Sequence, residues 1–184
     1  MKKCLIGLVL VCLWACNPSN VNESIVSNDT VKTMEIDYPS QQKDTVYEGV
    51  KETEYANYYI VIADTGKLYA PLFESMNSLA KSIPLRVDMM EREYNSKKDL
   101  ISLPENAEDE MYAGDYFPRR EPSEYLSLEY LNFYNGTSDE KTIALVAGIY
   151  ENQVEAVRMC QNLLLKGEKN IFVLRSKVYI GCMH

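Results

Sequence analysis

The side chains best suited to chemistry in this chain of 184 residues are few, and their spacing is irregular. The one histidine, His184, is the last residue. An imidazole base, a Ser-His-Asp arrangement or a multi-histidine metal site therefore has nothing to draw on within the body of the chain. A thiol enzyme would need a base beside Cys160 or Cys182. His184 is close to Cys182, but at a chain end, where fraying is the rule. Carboxylates are the abundant reactive groups. Asp99, Glu105, Glu108, Asp109, Glu110 and Asp115 lie in one stretch without Lys or Arg. Calcium takes roughly six to eight oxygens, yet this run lacks the alternating spacing and central glycine of an EF-hand loop. Paired carboxylates can hydrolyse glycosidic bonds at set separations, but here no one pair stands out. Arg119-Arg120 suits a two-pronged carboxylate clamp, or the balancing of nearby acids. Tyr112, Tyr116, Tyr125 and Tyr130 interleave with these charges. The plain reading is a folded flap that packs its rings and exposes its acids. No cofactor motif and no enzyme motif is present.

Composition narrows the field further. Nineteen Lys and Arg against 27 Asp and Glu give a net charge of −8. A bulk nucleic-acid partner is excluded, because phosphate binding needs a basic surface. Hydrophobic residues at 46% and charged residues at 25% match a globular domain and exclude wholesale disorder.

The elements that must position these residues follow a repeated order. Tyr58-Tyr59-Ile60-Val61-Ile62-Ala63 is a β-favouring run. Leu68, Leu72, Met76, Leu79 and Ile83 then keep helical spacing, and Pro84 ends that helix. Leu85, Val87 and Met89 alternate as a half-buried strand. In the second half Ile143 to Ile149 reads as a strand. Val154, Val157, Gln161 and Leu164 line a helix stripe, with Ala156, Cys160 and Leu163 beside it. Phe172, Leu174, Val178 and Ile180 share one strand face; Val173, Arg175, Lys177 and Tyr179 share the other. This β-α-β, insert, β-α-β order predicts an α+β, ferredoxin-like split fold: a four-stranded antiparallel sheet with two helices on one face. Residues 94–140 form the acidic, aromatic insert. The face without helices is the expected ligand surface, contributed by Tyr59, Val61, Arg86, Arg175, Lys177 and Tyr179.

The N-terminus carries an address. Lys2 and Lys3 precede an apolar run from Cys4 to Cys16. As a helix it would span roughly 20 Å, short of a bilayer core, so a secretory signal is expected over 1–16 rather than a permanent span. Leu13-Trp14-Ala15-Cys16 resembles a bacterial lipobox, with Trp14 a departure from the usual small residue. The resemblance implies lipidation of Cys16. Residues 17–56 are polar and aperiodic, and read as a tether with a reach of roughly 35 Å. The folded domain is expected over 57–184. Export leaves Cys160 and Cys182, which could form a disulfide or stay as two separately buried thiols.

Leu145-Val146-Ala147-Gly148-Ile149-Tyr150 followed by Glu155-Ala156 resembles the second half of a SPOR domain, the sporulation-related repeat of bacterial envelope proteins. Tyr59-Ile60-Val61-Ile62-Ala63 is similar to its first strand. The likeness covers 58–93 and 141–181. The insert and the closing Gly181-Cys182-Met183-His184 look like an envelope lipoprotein family of Bacteroidetes-type bacteria without a named function. The SPOR resemblance implies non-catalytic binding of peptidoglycan glycan strands on the open sheet face. The alternative is an envelope protein–protein interaction module that uses the 94–140 insert. The expected location is the cell envelope, anchored through the N-terminal lipid. Asn17-Pro18-Ser19-Asn20 lacks an acidic export run, which favours a periplasm-facing leaflet.

Overall fold

A computed structural model describes residues 33–34, 54–108 and 110–181. The signal segment, Cys16, nearly all of the tether, Cys182 and His184 lie outside the described residues.

The protein is α+β. Its main sheet has the order β1-β7-β2-β6-β5, built from β1 (Thr33–Met34), β2 (Tyr55–Gly66), β5 (Ser127–Tyr130), β6 (Ile143–Tyr150) and β7 (Phe172–Tyr179). The four strands β7-β2-β6-β5 are antiparallel, and the short β1 joins β7 in parallel. Helix α1 (Tyr69–Ser82) follows β2, and α2 (Gln153–Leu165) follows β6. A two-stranded hairpin, β3 (Glu93–Asn95) and β4 (Leu100–Ser102), stands apart from the main sheet. Among the described residues no helix is long and apolar enough to cross a membrane.

Local chemistry explains the helices. Asn152 caps α2 by accepting from the Glu155 amide at 3.0 Å. At its other end Gly167 takes φ +94°, a left-handed conformation that costs glycine little. The amides of Gly167 and Glu168 then satisfy the carbonyls of Leu164 and Leu163. Leu72, Met76 and Leu79 of α1 and Ala156, Cys160 and Leu163 of α2 enter a single core against one sheet face, with Val61, Ala63, Leu145 and Val173. The buried stripe of α2 is thus the Ala156, Cys160, Leu163 set. Val154, expected on the main stripe, is 78% exposed.

Two expectations are corrected. The alternating run Leu85–Met89 makes only a single bridge, Val87 with Leu126. Met90 and Glu91 have positive φ and the Arg92 amide turns back to Met89 O, so the run ends in a tight turn. The sheet strand next to β6 comes instead from within the expected insert, as β5. Its residues are buried on both faces, with Leu128 and Tyr130 toward the helices. The second correction is that the face without helices is not open. Ile60, Ile62, Val146, Ile149, Leu174 and Val178 are buried there under Leu131 and Tyr134. Ser176 Oγ donates to Tyr134 O at 2.8 Å, so the turn after β5 reaches across to β7.

A buried ionic cluster holds this cover in place. Arg92 Nη1 and Nη2 donate to Glu129 Oε2 and Oε1 at 2.7 and 2.6 Å, with side chains 1% and 0% exposed. Tyr116 OH and Ser127 Oγ each donate to the same carboxylate at 2.7 Å. Burial alone would lower the Arg92 pKa, but the hydrogen bonds and charge of Glu129 outweigh it and hold the guanidinium charged. Burial, then the Glu129 charge, pushes Tyr116 and Tyr134 well above the usual phenol range, so both remain donors.

Removing one partner of such a pair strands the other charge in the interior, at a cost of about 3–5 kcal/mol, whereas an apolar replacement of both is tolerated far better. Arg92→Met should therefore lower urea-unfolding stability by several kcal/mol, and Arg92→Met/Glu129→Leu should recover most of the loss. Equal losses in the two variants would show that the pair does not organise the cover.

Candidate functional site

Strand β2 is longer than the helices need. Its first residues run with the end of β7 as a two-stranded ribbon, in the register Tyr55↔Tyr179, Asn57↔Lys177 and Tyr59↔Arg175. Strand alternation puts all six on one side, the side of Val61 and Val173 and hence of the helices. Tyr150 of β6 lies opposite Tyr59 and extends the last row. The result is a grid with aromatic rings at both ends and Asn57, Arg175 and Lys177 between them.

The rings are held in place. Tyr55 and Tyr179 meet edge to face, with centroids 5.3 Å apart. Lys177 Nζ sits 5.1 Å from the Tyr55 ring centre, within cation–π range. The Tyr179 ring folds back over Gly181, where a Cβ would come within 2.5 Å of its hydroxyl. Gly181 is itself fastened, because Arg120 Nη1 donates to its carbonyl at 2.7 Å. Tyr150 lies over Gly148 in the same way. Asn57, Arg175 and Lys177 are exposed, and Tyr55 is 36% exposed. Neither Arg175 nor Lys177 has a carboxylate within ion-pair distance among the described residues.

Four of the six ligand-face residues expected from sequence are thus together: Tyr59, Arg175, Lys177 and Tyr179. They lie on the helix side of the sheet, at an end where α1 and α2 leave them accessible, and not on a helix-free face. Val61 shares their side but is fully buried under the helices, so it cannot touch a ligand. Arg86 is elsewhere, in the segment after α1, paired with Asp88 at 3.1 Å and 5.2 Å from the Tyr125 ring centre. Tyr55 and Asn57 were missed because the strand was expected to start at Tyr58. Their phase with Tyr59 was the available signal.

Other chemically dense places do not form a site. Arg119 is fully buried. It donates to Tyr125 O, Ser127 Oγ, Ser123 O and Ser123 Oγ, and its guanidinium lies 3.7 Å from the Tyr125 ring centre. Arg119 and Arg120 are therefore structural fasteners, not a carboxylate clamp. Asp99 bonds to Tyr94 and Lys141, and Glu105 to Lys98, on the surface. Among the described residues no three His, Cys, Asp or Glu side chains converge as metal ligands. A groove of about 530 Å³ between the end of α1 and α2 is lined by Ile83, Leu85, Met159 and Leu165 with scattered charges. It presents no convergent polar set.

Cys160 is a free, fully buried thiol under α2 rather than half of a cystine. Cys182, the candidate partner, lies outside the described residues. Burial pushes the Cys160 thiol up from 9.0 to about 12. The folded pKa lies above the unfolded one, so this contribution is complete below about pH 9 and is lost as pH rises toward 12. Stability should fall by roughly 1 kcal/mol per pH unit across that window from this group. Cys160→Ala should flatten that part of the urea-stability profile. An unchanged slope in the variant would assign the alkaline loss to other groups.

Comparison with known proteins gives no match to this chain from any family model, any curated protein or any solved structure.

Proposed function

We propose that this chain is a lipid-anchored envelope lipoprotein, attached through Cys16 and facing the periplasm. Its folded part is a non-catalytic, SPOR-like domain that binds peptidoglycan glycan strands. The observation that carries this reading is the grid of Tyr55, Tyr59, Tyr179, Asn57, Arg175 and Lys177. Tyrosine rings offer rigid apolar area and a hydroxyl at low entropic cost, which suits the faces and edges of sugar rings. The cations lack carboxylate partners and are available to a ligand. Strand order β7-β2-β6-β5, with a helix after β2 and another after β6, supports a ferredoxin-like split arrangement. The Leu-Trp-Ala-Cys motif supports the anchor.

The rival reading places a protein partner on segment 94–140. Leu100, Met111 and Phe133 are its exposed large apolar side chains, and they belong to separate parts of the segment. Its buried groups are already committed to the Arg92–Glu129 cluster. The ribbon is the better surface.

Two experiments test the proposal. In cells, Cys16→Ser should abolish labelling by a fatty-acid analogue; retained labelling rejects the anchor. The full chain carrying Cys16→Ser should co-sediment with purified sacculi, and adding Tyr55→Ala and Tyr179→Ala should weaken that binding by about tenfold or more, the loss of ring contacts worth ~1–3 kcal/mol. Absence of sedimentation, together with capture of an envelope protein that a change at Met111 abolishes, would establish the rival.

A further inference from the structure

The make-up of the grid narrows the kind of glycan. Its middle is rich in donors. Arg175 offers five N–H groups and Lys177 three, and neither can accept a hydrogen bond. Asn57 is the one amide beside them. A neutral sugar presents hydroxyls that both donate and accept, so a surface built for it would mix both kinds of group. Two exposed cations on one strand face, with no acid of the protein paired to them, match a negatively charged ligand group instead.

The spacing says how dense that charge is. Residues two apart on a strand face stand about 7 Å from each other, and side chains directly across the ribbon about 5 Å. Arg175 and Lys177 therefore form one local pair of cations with Asn57 alongside. Tyr55 and Tyr59 are about 13 Å apart on β2, room for two or three sugar rings between the aromatic ends. The chain as a whole carries −8. A dense polyanion would meet repulsion from the rest of the surface within a screening length of about 10 Å. A ligand with isolated carboxylates, sparse along a largely neutral backbone, meets the cations without that penalty. A carboxylate also fits the forked guanidinium in a two-pronged pair.

On the reading of the ribbon as a glycan site, we infer that it selects carboxylate-bearing glycan, with Arg175 and Lys177 gripping the carboxylate while Tyr55, Tyr59 and Tyr179 pack against the sugar rings. In peptidoglycan the group of this kind on the glycan itself is the lactyl carboxylate of muramic acid.

The test uses the full chain carrying Cys16→Ser and three soluble probes: muramic-acid-containing glycan strands, the same strands with their carboxyls converted to amides, and chitin oligosaccharides. The native strands should bind at least about tenfold tighter than either neutral probe, since hydrogen bonds to charged groups are the strong ones. Adding salt should weaken only the native strands. Arg175→Gln/Lys177→Met should erase the preference and leave the weak binding of the neutral probes in place. Tyr55→Ala should weaken all three together. Equal binding of native and amidated strands overturns the carboxylate inference while leaving the glycan reading intact. Binding of none of the three overturns both.

Discussion

Glu129 is one carboxylate accepting four hydrogen bonds in a place without water. Arg92 supplies two of them, Tyr116 and Ser127 the others. An unpaired carboxylate there would be untenable, so the four donors must arrive from their separate parts of the chain before β5 can be buried. Arg92 lies at the turn that ends the Leu85–Met89 run. Tyr116 lies far along the connection to β5. A long, polar segment is thereby drawn over one edge and the helix-free face of the sheet. The same cluster finishes the exposed edge of β5. Tyr116 OH accepts from the Tyr130 amide at 3.0 Å, and Met89 Sδ accepts from the Leu128 amide at 3.4 Å. An edge strand with its amides occupied is a poor template for stray strand pairing.

Covering that face moves any ligand surface elsewhere. The sheet has two sides, one taken by α1 and α2 and the other by Leu131 and Tyr134. What remains is the ribbon where β2 and β7 run on beyond the helices. Its rings are fixed from behind rather than by neighbours in front. Tyr179 rests on Gly181, Tyr150 rests on Gly148, and Arg120 from the covering segment ties down the Gly181 carbonyl. The cover and the candidate site are thus mechanically linked through Arg120, although they lie on different parts of the surface.

The repeating strand and helix order was legible because it rests on local periodicity. Leu72, Met76 and Leu79 have helical spacing wherever the chain goes. Val173, Arg175, Lys177 and Tyr179 share a strand face by alternation alone, and they do so here. The failures have equally specific causes. Ser127 and Glu129 are polar, so the segment that became β5 looked like part of a loop. Only the arrival of Arg92, Arg119 and Tyr116 lets those side chains be buried. Val61 was placed on the right side of the sheet relative to Arg175, but the whole side was taken for the open one. A strand's alternation says which residues share a face and nothing about which face meets the helices. Cys160 was visible as part of a buried stripe on α2, while Val154, one turn earlier, was wrongly assigned to the same core.

The amino-acid sequence alone determined the elements, the pairing of residues within each face and the acidic balance of the surface, since these depend on neighbours a few positions away and on composition. Which strand completes the sheet, which side is sealed and where a ligand can reach were decided only by the tertiary structure. Those outcomes rest on contacts such as Arg92 to Glu129 and Ser176 to Tyr134, between residues 37 and 42 positions apart. No local pattern reports a hydrogen bond across such a distance, because its donor and acceptor become partners only when both are taken out of water together.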